Sequence, residues 1–165
     1  MNLDQLIKTA NEMDTDNKGL LAADESTGTI GKRFEQINVE NIEKNRRKYR
    51  ELLFSAEGLS EFISGTILYD ETIRQSTADG TSLVALMEGL GIIPGIKVDG
   101  GAKDLPGSPG EKITEGLDGL PGRVEEYVGL GARFAKWRAV ITIGKEMPSA
   151  QCVHVNAHAL GRYAK

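Results

Sequence analysis

A single cysteine, Cys152, excludes an internal disulfide and suits a reducing compartment. There is no excess of positive charge either. Lysine and arginine number 20 against 24 acids, a net charge of -4, so the chain lacks the basic footprint of a nucleic-acid binder. No apolar run approaches the length needed to cross a membrane. The first residues, MNLDQLIKTANEMD, carry acids and have no apolar core, so they do not read as a signal peptide. Two nucleotide-binding signatures are also missing: no G-x-G-x-x-G follows the first strand and there is no G-K-[ST]. What remains, 39% apolar and 27% charged residues over 165 positions, describes one soluble globular domain spanning 1–165.

The organising stretch is ARFAKWRAVI (132–141). Its alternation reads as a strand, with Phe134, Lys136, Arg138 and Val140 on one face. Such an apolar strand calls for burial on both faces, yet Lys136 and Arg138 point to one side. A buried pair of cations requires an anion. That anion is either a protein carboxylate in a structural ion pair or a bound phosphate or carboxylate ligand.

In chain order, apolar residues Leu3, Leu6, Ile7, Ala10 and Met13 predict an amphipathic helix over 2–14. GLLAAD (19–24) reads as a buried strand, and STGTIG (26–31) as a hydroxyl- and glycine-rich loop. A charged helix is expected over roughly 29–55 with a break near Asn38, its inner stripe being Ile42, Asn45, Tyr49, Leu52 and Leu53. Its basic run, Lys44 to Arg50, reads as a solvated face. SGTILYD (64–70) is a second strand, 82–90 a second helix closed by Gly91, and IIPGIKVD (92–99) a third strand. Pro94 has no N–H, so pairing there is expected to start at Gly95. Residues 100–121 form a long Gly- and Pro-rich loop, 122–130 a third helix, and SAQCVHVNAHALGRYAK (149–165) a fourth.

Strand–helix alternation with apolar strands implies an α/β fold with a parallel sheet. The strands end in Asp24, Asp70, Asp99 and the Lys136–Arg138 pair. Charges at the C-terminal ends of parallel strands are where a (β/α)8 barrel places its chemistry. The chain holds about the first four such units, which would leave the first and fourth strands as open edges. His154 and His158 have a metal-ligand spacing, but Val155 stands where the H-E-x-x-H motif has its acid, and no third ligand is evident; no metal and no cofactor are expected. Cys152 reads as a core residue.

Seven co-linear segments together resemble class I fructose-bisphosphate aldolase: LLAADESTGTIGKR (20–33), ENIEKNRRKYRELLF (40–54), SGTILYDET (64–72), GIKVD (95–99), EGLDGL (115–120), GARFAKWRAVI (131–141) and PSAQCVHVNAHALGRYA (148–164). The resemblance implies a TIM barrel of about twice this length, of which this chain resembles the N-terminal half. It implies that Asp24 handles protons near a Schiff base, that Lys136 and Arg138 line the active site, and that Lys97, Ser26 and Arg33 serve phosphate, with Thr29 standing where a serine is often found. From the residues alone, Lys136 would be named the Schiff-base lysine, since neighbouring cations lower an amine's pKa. The resemblance places that lysine on a later strand instead, beyond Lys165. It further implies a cytoplasmic, glycolytic lyase that cleaves fructose 1,6-bisphosphate to dihydroxyacetone phosphate and glyceraldehyde 3-phosphate, commonly as a homotetramer. The alternative is a non-catalytic half-barrel that binds sugar phosphate or a partner chain.

Overall fold

The structure, a computed structural model, describes residues 3–165. In chain order it contains α1 (Leu3–Met13), β1 (Gly19–Ala23), α2 (Thr27–Glu35), α3 (Glu43–Phe54), α4 (Leu59–Phe62), β2 (Ile63–Leu68), α5 (Asp70–Ile73), α6 (Leu83–Gly89), β3 (Ile93–Lys97), β4 (Ala102–Asp104), β5 (Lys112–Thr114), α7 (Leu120–Gly129), β6 (Phe134–Lys136) and α8 (Ala150–Ala164). Asn2, in the expected first helix, lies outside the described residues. The chain divides into two compact units. The first comprises residues up to Lys97 with Tyr127–Ala135, and the second Val98–Glu126 with Lys136–Lys165.

The apolar runs expected as strands form a sheet of order β1-β2-β3-β6. β1–β2 and β2–β3 are parallel, with Ala22 opposite Ile67 and Ile67 opposite Gly95. One face of this sheet packs against helices, and its residues Ala23, Leu68 and Ile96 are buried. On the other face two glycines matter. A Cβ on Gly65 would lie 2.9 Å from a Leu20 methyl and 3.2 Å from the Phe134 ring, and one on Gly95 would collide with that ring outright. Phe134 therefore lies flat across β3 and reaches β2, filling the interior from one side.

Several boundaries differ from the sequence reading. Pairing of the third strand starts at Ile93, with Pro94 inside it opposite Thr66. The Pro94 carbonyl accepts from Arg133 N (2.8 Å), so the missing N–H would also have faced β6, and the β2 ladder loses nothing. The strand expected over 132–141 is cut to three residues. Beyond it the Arg138 carbonyl accepts from the Thr114 hydroxyl (2.6 Å) rather than from a ladder. The loop 100–121 is not structureless: β4 and β5 pair antiparallel within it, Lys103 opposite Ile113, with a Lys112–Asp104 ion pair at 2.5 Å.

The helices differ as well. The break expected near Asn38 is present, its φ being +54° and separating α2 from α3, but α2 starts at Thr27, inside the stretch expected as a loop. Ser26 and Ser82 cap α2 and α6, each accepting a backbone N–H three residues on. α3 buries Arg50 and Phe54 rather than the expected Ile42 and Leu52, which are exposed. Its basic run is a solvated face at Lys44 and Lys48 but not at its arginines. Arg46 binds both Glu71 carboxylate oxygens at 2.7 Å, Arg47 pairs with Glu51, and Arg50 is 2% exposed. Paired guanidiniums are good core partners where aliphatic residues would leave carboxylates unmatched. In α1 the apolar residues Leu3, Leu6 and Ile7 are exposed, and the buried residue is Thr9, whose hydroxyl accepts from Arg133 (2.9 Å).

A further tie joins the two ends of the α2–α3 connection. Asn41 donates to the Thr27 carbonyl (3.1 Å), while Arg46 donates to Asn41. The Asn41 amide sits where a Cβ on Gly31 would be only 2.5 Å from its nitrogen.

In the second unit, α8 begins at Ser149, which caps the Cys152 N–H (3.1 Å). Buried Glu111 accepts from both the Ser149 N–H (2.6 Å) and its hydroxyl (2.5 Å). These bonds hold the Glu111 carboxyl below its ordinary value. Cys152 is fully buried, as the sequence reading expected, and burial followed by the nearby Glu111 charge pushes its thiol up. Trp137 stacks on Tyr163 with ring centroids 5.4 Å apart.

Candidate functional site

Register places part of the expected site at one level. Ala23, Leu68 and Ile96 are aligned across β1, β2 and β3. One step further on come Asp24, Tyr69 and Lys97. By the period-two pleat they share the side of Ala22, Ile67 and Gly95. Asp24 and Lys97 thus leave the sheet from the same face at the C-terminal ends of β1 and β3, two strand spacings apart, about 10 Å at the backbone. Asp24 is 8% exposed and Lys97 half-buried.

Immediately after Asp24 the chain turns into α2. Ser26 is its N-cap, and its Oγ lies 3.1 Å from the Thr29 hydroxyl and 3.4 Å from the Thr29 N–H. Two hydroxyls and the first N–H groups of a nine-residue helix therefore gather next to Asp24. Arg33 lies one turn on, on the exposed side, and pairs with Glu25.

Glu25 was not singled out by the sequence reading, and neither was its partner Arg50. Arg50 donates to the Glu25 carboxylate and to the Glu25 carbonyl (2.9 Å), spans 3.4 Å to the Thr72 hydroxyl, and stacks over Tyr49 at 5.3 Å. Burial works to raise the Glu25 carboxyl. The Arg50 hydrogen bond and the Arg50 and Arg33 charges outweigh it and hold the group below its ordinary value. Arg50 therefore grips both main chain and side chain of the residue between Asp24 and Ser26. The readable signal was the stripe Arg46, Arg50, Phe54, spaced by four on α3.

The remaining expected residues belong to the second unit. Lys136 is the last residue of β6, and its carbonyl accepts from Val98 N (3.1 Å), which directly follows Lys97. Arg138 is exposed, two residues beyond. His154 and His158 both sit on the exposed face of α8. A separate cavity of about 460 Å³ is lined by Glu12, Lys18, Glu88, Pro94 and Arg133. It opens at the N-terminal ends of the strands, the end opposite Asp24 and Lys97, where barrels do not place their chemistry.

A sequence model of class I fructose-bisphosphate aldolase matches residues 5–165. The chain belongs to the class I fructose-bisphosphate aldolase family. It is 60% identical over 164 residues to a probable class 1 fructose-bisphosphate aldolase of Xanthomonas axonopodis pv. citri, covering 99% of this chain and 49% of that protein. It is 57% identical over 161 residues to the cytosolic fructose-bisphosphate aldolase 5 of Arabidopsis thaliana, covering 98% and 45%. Among solved structures, the Plasmodium falciparum aldolase, determined with TRAP and a small-molecule inhibitor, superimposes with a TM-score of 0.95 at 49% identity, covering 98% of this chain and 47% of that one. The chain thus spans about half the length of the aldolases it matches. The parallel sheet and its neighbouring helices are that part of the aldolase TIM barrel, and the four-stranded sheet is not closed.

Proposed function

We propose that this chain carries the phosphate-binding and proton-handling part of a class I aldolase, acting on fructose 1,6-bisphosphate to release dihydroxyacetone phosphate and glyceraldehyde 3-phosphate. The observation that carries this reading is the placement of Asp24 and Lys97 on one sheet face at one level, with the Ser26 cap of α2 alongside. Lys97, Arg33 and the Ser26 and Thr29 hydroxyls would take a phosphate, since N–H groups and hydroxyls at a helix start favour anions. Asp24 would accept and return the proton that moves as the carbon–carbon bond breaks. Lys136 and Arg138 would face the sugar chain. The amine that forms the iminium would come from outside these 165 residues, which makes Lys136 a charge and hydrogen-bond donor and not the nucleophile. A cytosolic setting, supported by the relatives named cytosolic, belongs to the same reading, as do a glycolytic role and a homotetrameric whole enzyme.

Titration of the 165-residue chain with fructose 1,6-bisphosphate, followed by backbone NMR, tests the binding half of this proposal. Shifts should cluster at Ser26–Thr29 and Lys97, and Lys97→Ala should weaken them about tenfold. Shifts confined to the cavity lined by Glu12 and Arg133, or none at saturating ligand, would overturn it.

A further inference from the structure

Between Ala23, the last residue of β1, and Thr27, the first of α2, lie Asp24, Glu25 and Ser26. These three are outside the strand ladder, and the middle one is held from α3. Arg50, 2% exposed, donates to the Glu25 carboxylate and, through Nη2, to the Glu25 carbonyl (2.9 Å). Its Nε lies 3.4 Å from the hydroxyl of Thr72, on α5 just after β2. The other oxygen of the same carboxylate takes Arg33, and the Tyr49 hydroxyl stands 3.4 Å from that guanidinium.

We propose, resting on the aldolase reading of Asp24 and Ser26, that Arg50 is a positioning residue of the site. By pinning the main chain and side chain of Glu25 it sets the direction in which Asp24 leaves β1 and Ser26 opens α2. It touches neither the substrate nor the reacting atoms. Stability alone is a weak reason for a buried ion pair, since well-packed apolar residues commonly serve as well. One turn further along α3, buried Phe54 is such an apolar solution. No apolar side chain can grip a carbonyl. A lysine in place of Arg50 would keep the charge and lose the rigid fork that meets carboxylate and carbonyl together. Acid–base and anion-binding groups need to be held within about 0.5 Å of the productive geometry, and this clamp acts on the residue between two of them. Arg46 gives the contrast. It grips Glu71 at two points from the same helix, and its partners Glu71 and Asn41 lie outside the 24–26 turn.

Amide hydrogen exchange and steady-state cleavage of fructose 1,6-bisphosphate, both in a chain completed to the length of its relatives, test the clamp. Arg50→Lys should speed exchange over residues 24–29 about fivefold or more. It should lower kcat about 30-fold, with KM changed less than about threefold because Lys97 reaches phosphate from another strand. The pair Glu25→Leu, Arg50→Met removes both buried charges; it should melt cooperatively and still show the kcat loss. Arg46→Lys should lower the melting temperature and leave kcat within about twofold. Unchanged exchange over 24–29 in Arg50→Lys would overturn the proposal. So would kcat losses that follow the melting temperature across the three variants, or full turnover in Arg50→Lys where Asp24→Asn is slow. An unsubstituted completed chain that cleaves nothing would overturn the aldolase reading instead, and exchange over 24–29 would then decide the clamp alone.

Discussion

The ring of Phe134 occupies the space a side chain on Gly95 would need. The two positions are one packing unit on neighbouring strands, a bulky ring matched to an absent Cβ. Gly95→Ala should cost about 1–3 kcal/mol, the usual penalty for overpacking. The double variant Gly95→Ala, Phe134→Leu should recover part of it. Denaturant melts of the four members of that cycle measure the coupling, and strictly additive losses would show the two sites to be independent.

Acid should loosen the first unit through Glu25. Its carboxyl is held below the ordinary value, so the stabilisation it contributes is fully present above the unfolded pKa of about 4.3 and is lost as pH falls through the lower folded value. Glu25→Gln at neutral pH leaves buried Arg50 without its anion and should cost about 3 kcal/mol. The variant should also show a flatter stability profile below pH 5. Melting curves from pH 3 to 7 on both proteins check the sign, and parallel profiles would remove Glu25 as the source.

In the second unit, Ser149→Ala removes the cap of α8 and one of two donors to Glu111. About 1 kcal/mol should be lost, with faster amide exchange over the first turn of the helix. Exchange that speeds up only at the far end of α8 would argue against a capping role.

Two further outcomes follow from the proposed roles. In a chain completed to the length of its relatives, Asp24→Asn should preserve the fold and substrate binding while lowering turnover at least 100-fold, since the amide keeps the volume and loses the base. Unchanged cleavage would take Asp24 out of the mechanism.

The 165-residue chain mixed with dihydroxyacetone phosphate and reduced with borohydride should gain no specific adduct. In the proposed reading the iminium-forming amine comes from outside these 165 residues, and an iminium needs an amine aimed at the carbonyl. Intact mass analysis decides this, and a stoichiometric gain mapping to Lys136 would make Lys136 the nucleophile.

The strands β1 to β3 were readable because each is a short apolar run ending at a charge, and Asp24 was among the charges named at those ends, whereas Lys97 was named only through the aldolase resemblance. The strand at 132–141 was overread. Its alternation continues past Lys136, but the Thr114 hydroxyl captures the Arg138 carbonyl, and that contact comes from 24 residues away. The hairpin of β4 and β5 was hidden by its composition, since three-residue strands inside a Gly- and Pro-rich stretch carry no period. The inner side of α3 was misassigned because hydropathy cannot see that Arg50 meets Glu25 and Arg46 meets Glu71. The site's readable part was its charges at strand ends. Its unreadable part was the clamp on residue 25, built by Arg50 of α3, 25 residues later in the chain.

Gly31 and Asn41 carry a consequence for how such a sequence can drift. Taken singly, a glycine on α2 looks replaceable by alanine, the better helix former by about 1 kcal/mol. The Asn41 amide fills the place of that methyl group while it holds the Thr27 carbonyl at the start of the same helix. Alanine at 31 therefore becomes acceptable only after residue 41 has shortened or turned away, and asparagine at 41 only while 31 stays bare. The two positions form an epistatic pair, and a mutational library of this segment should recover them as a correlated choice rather than as two independent preferences.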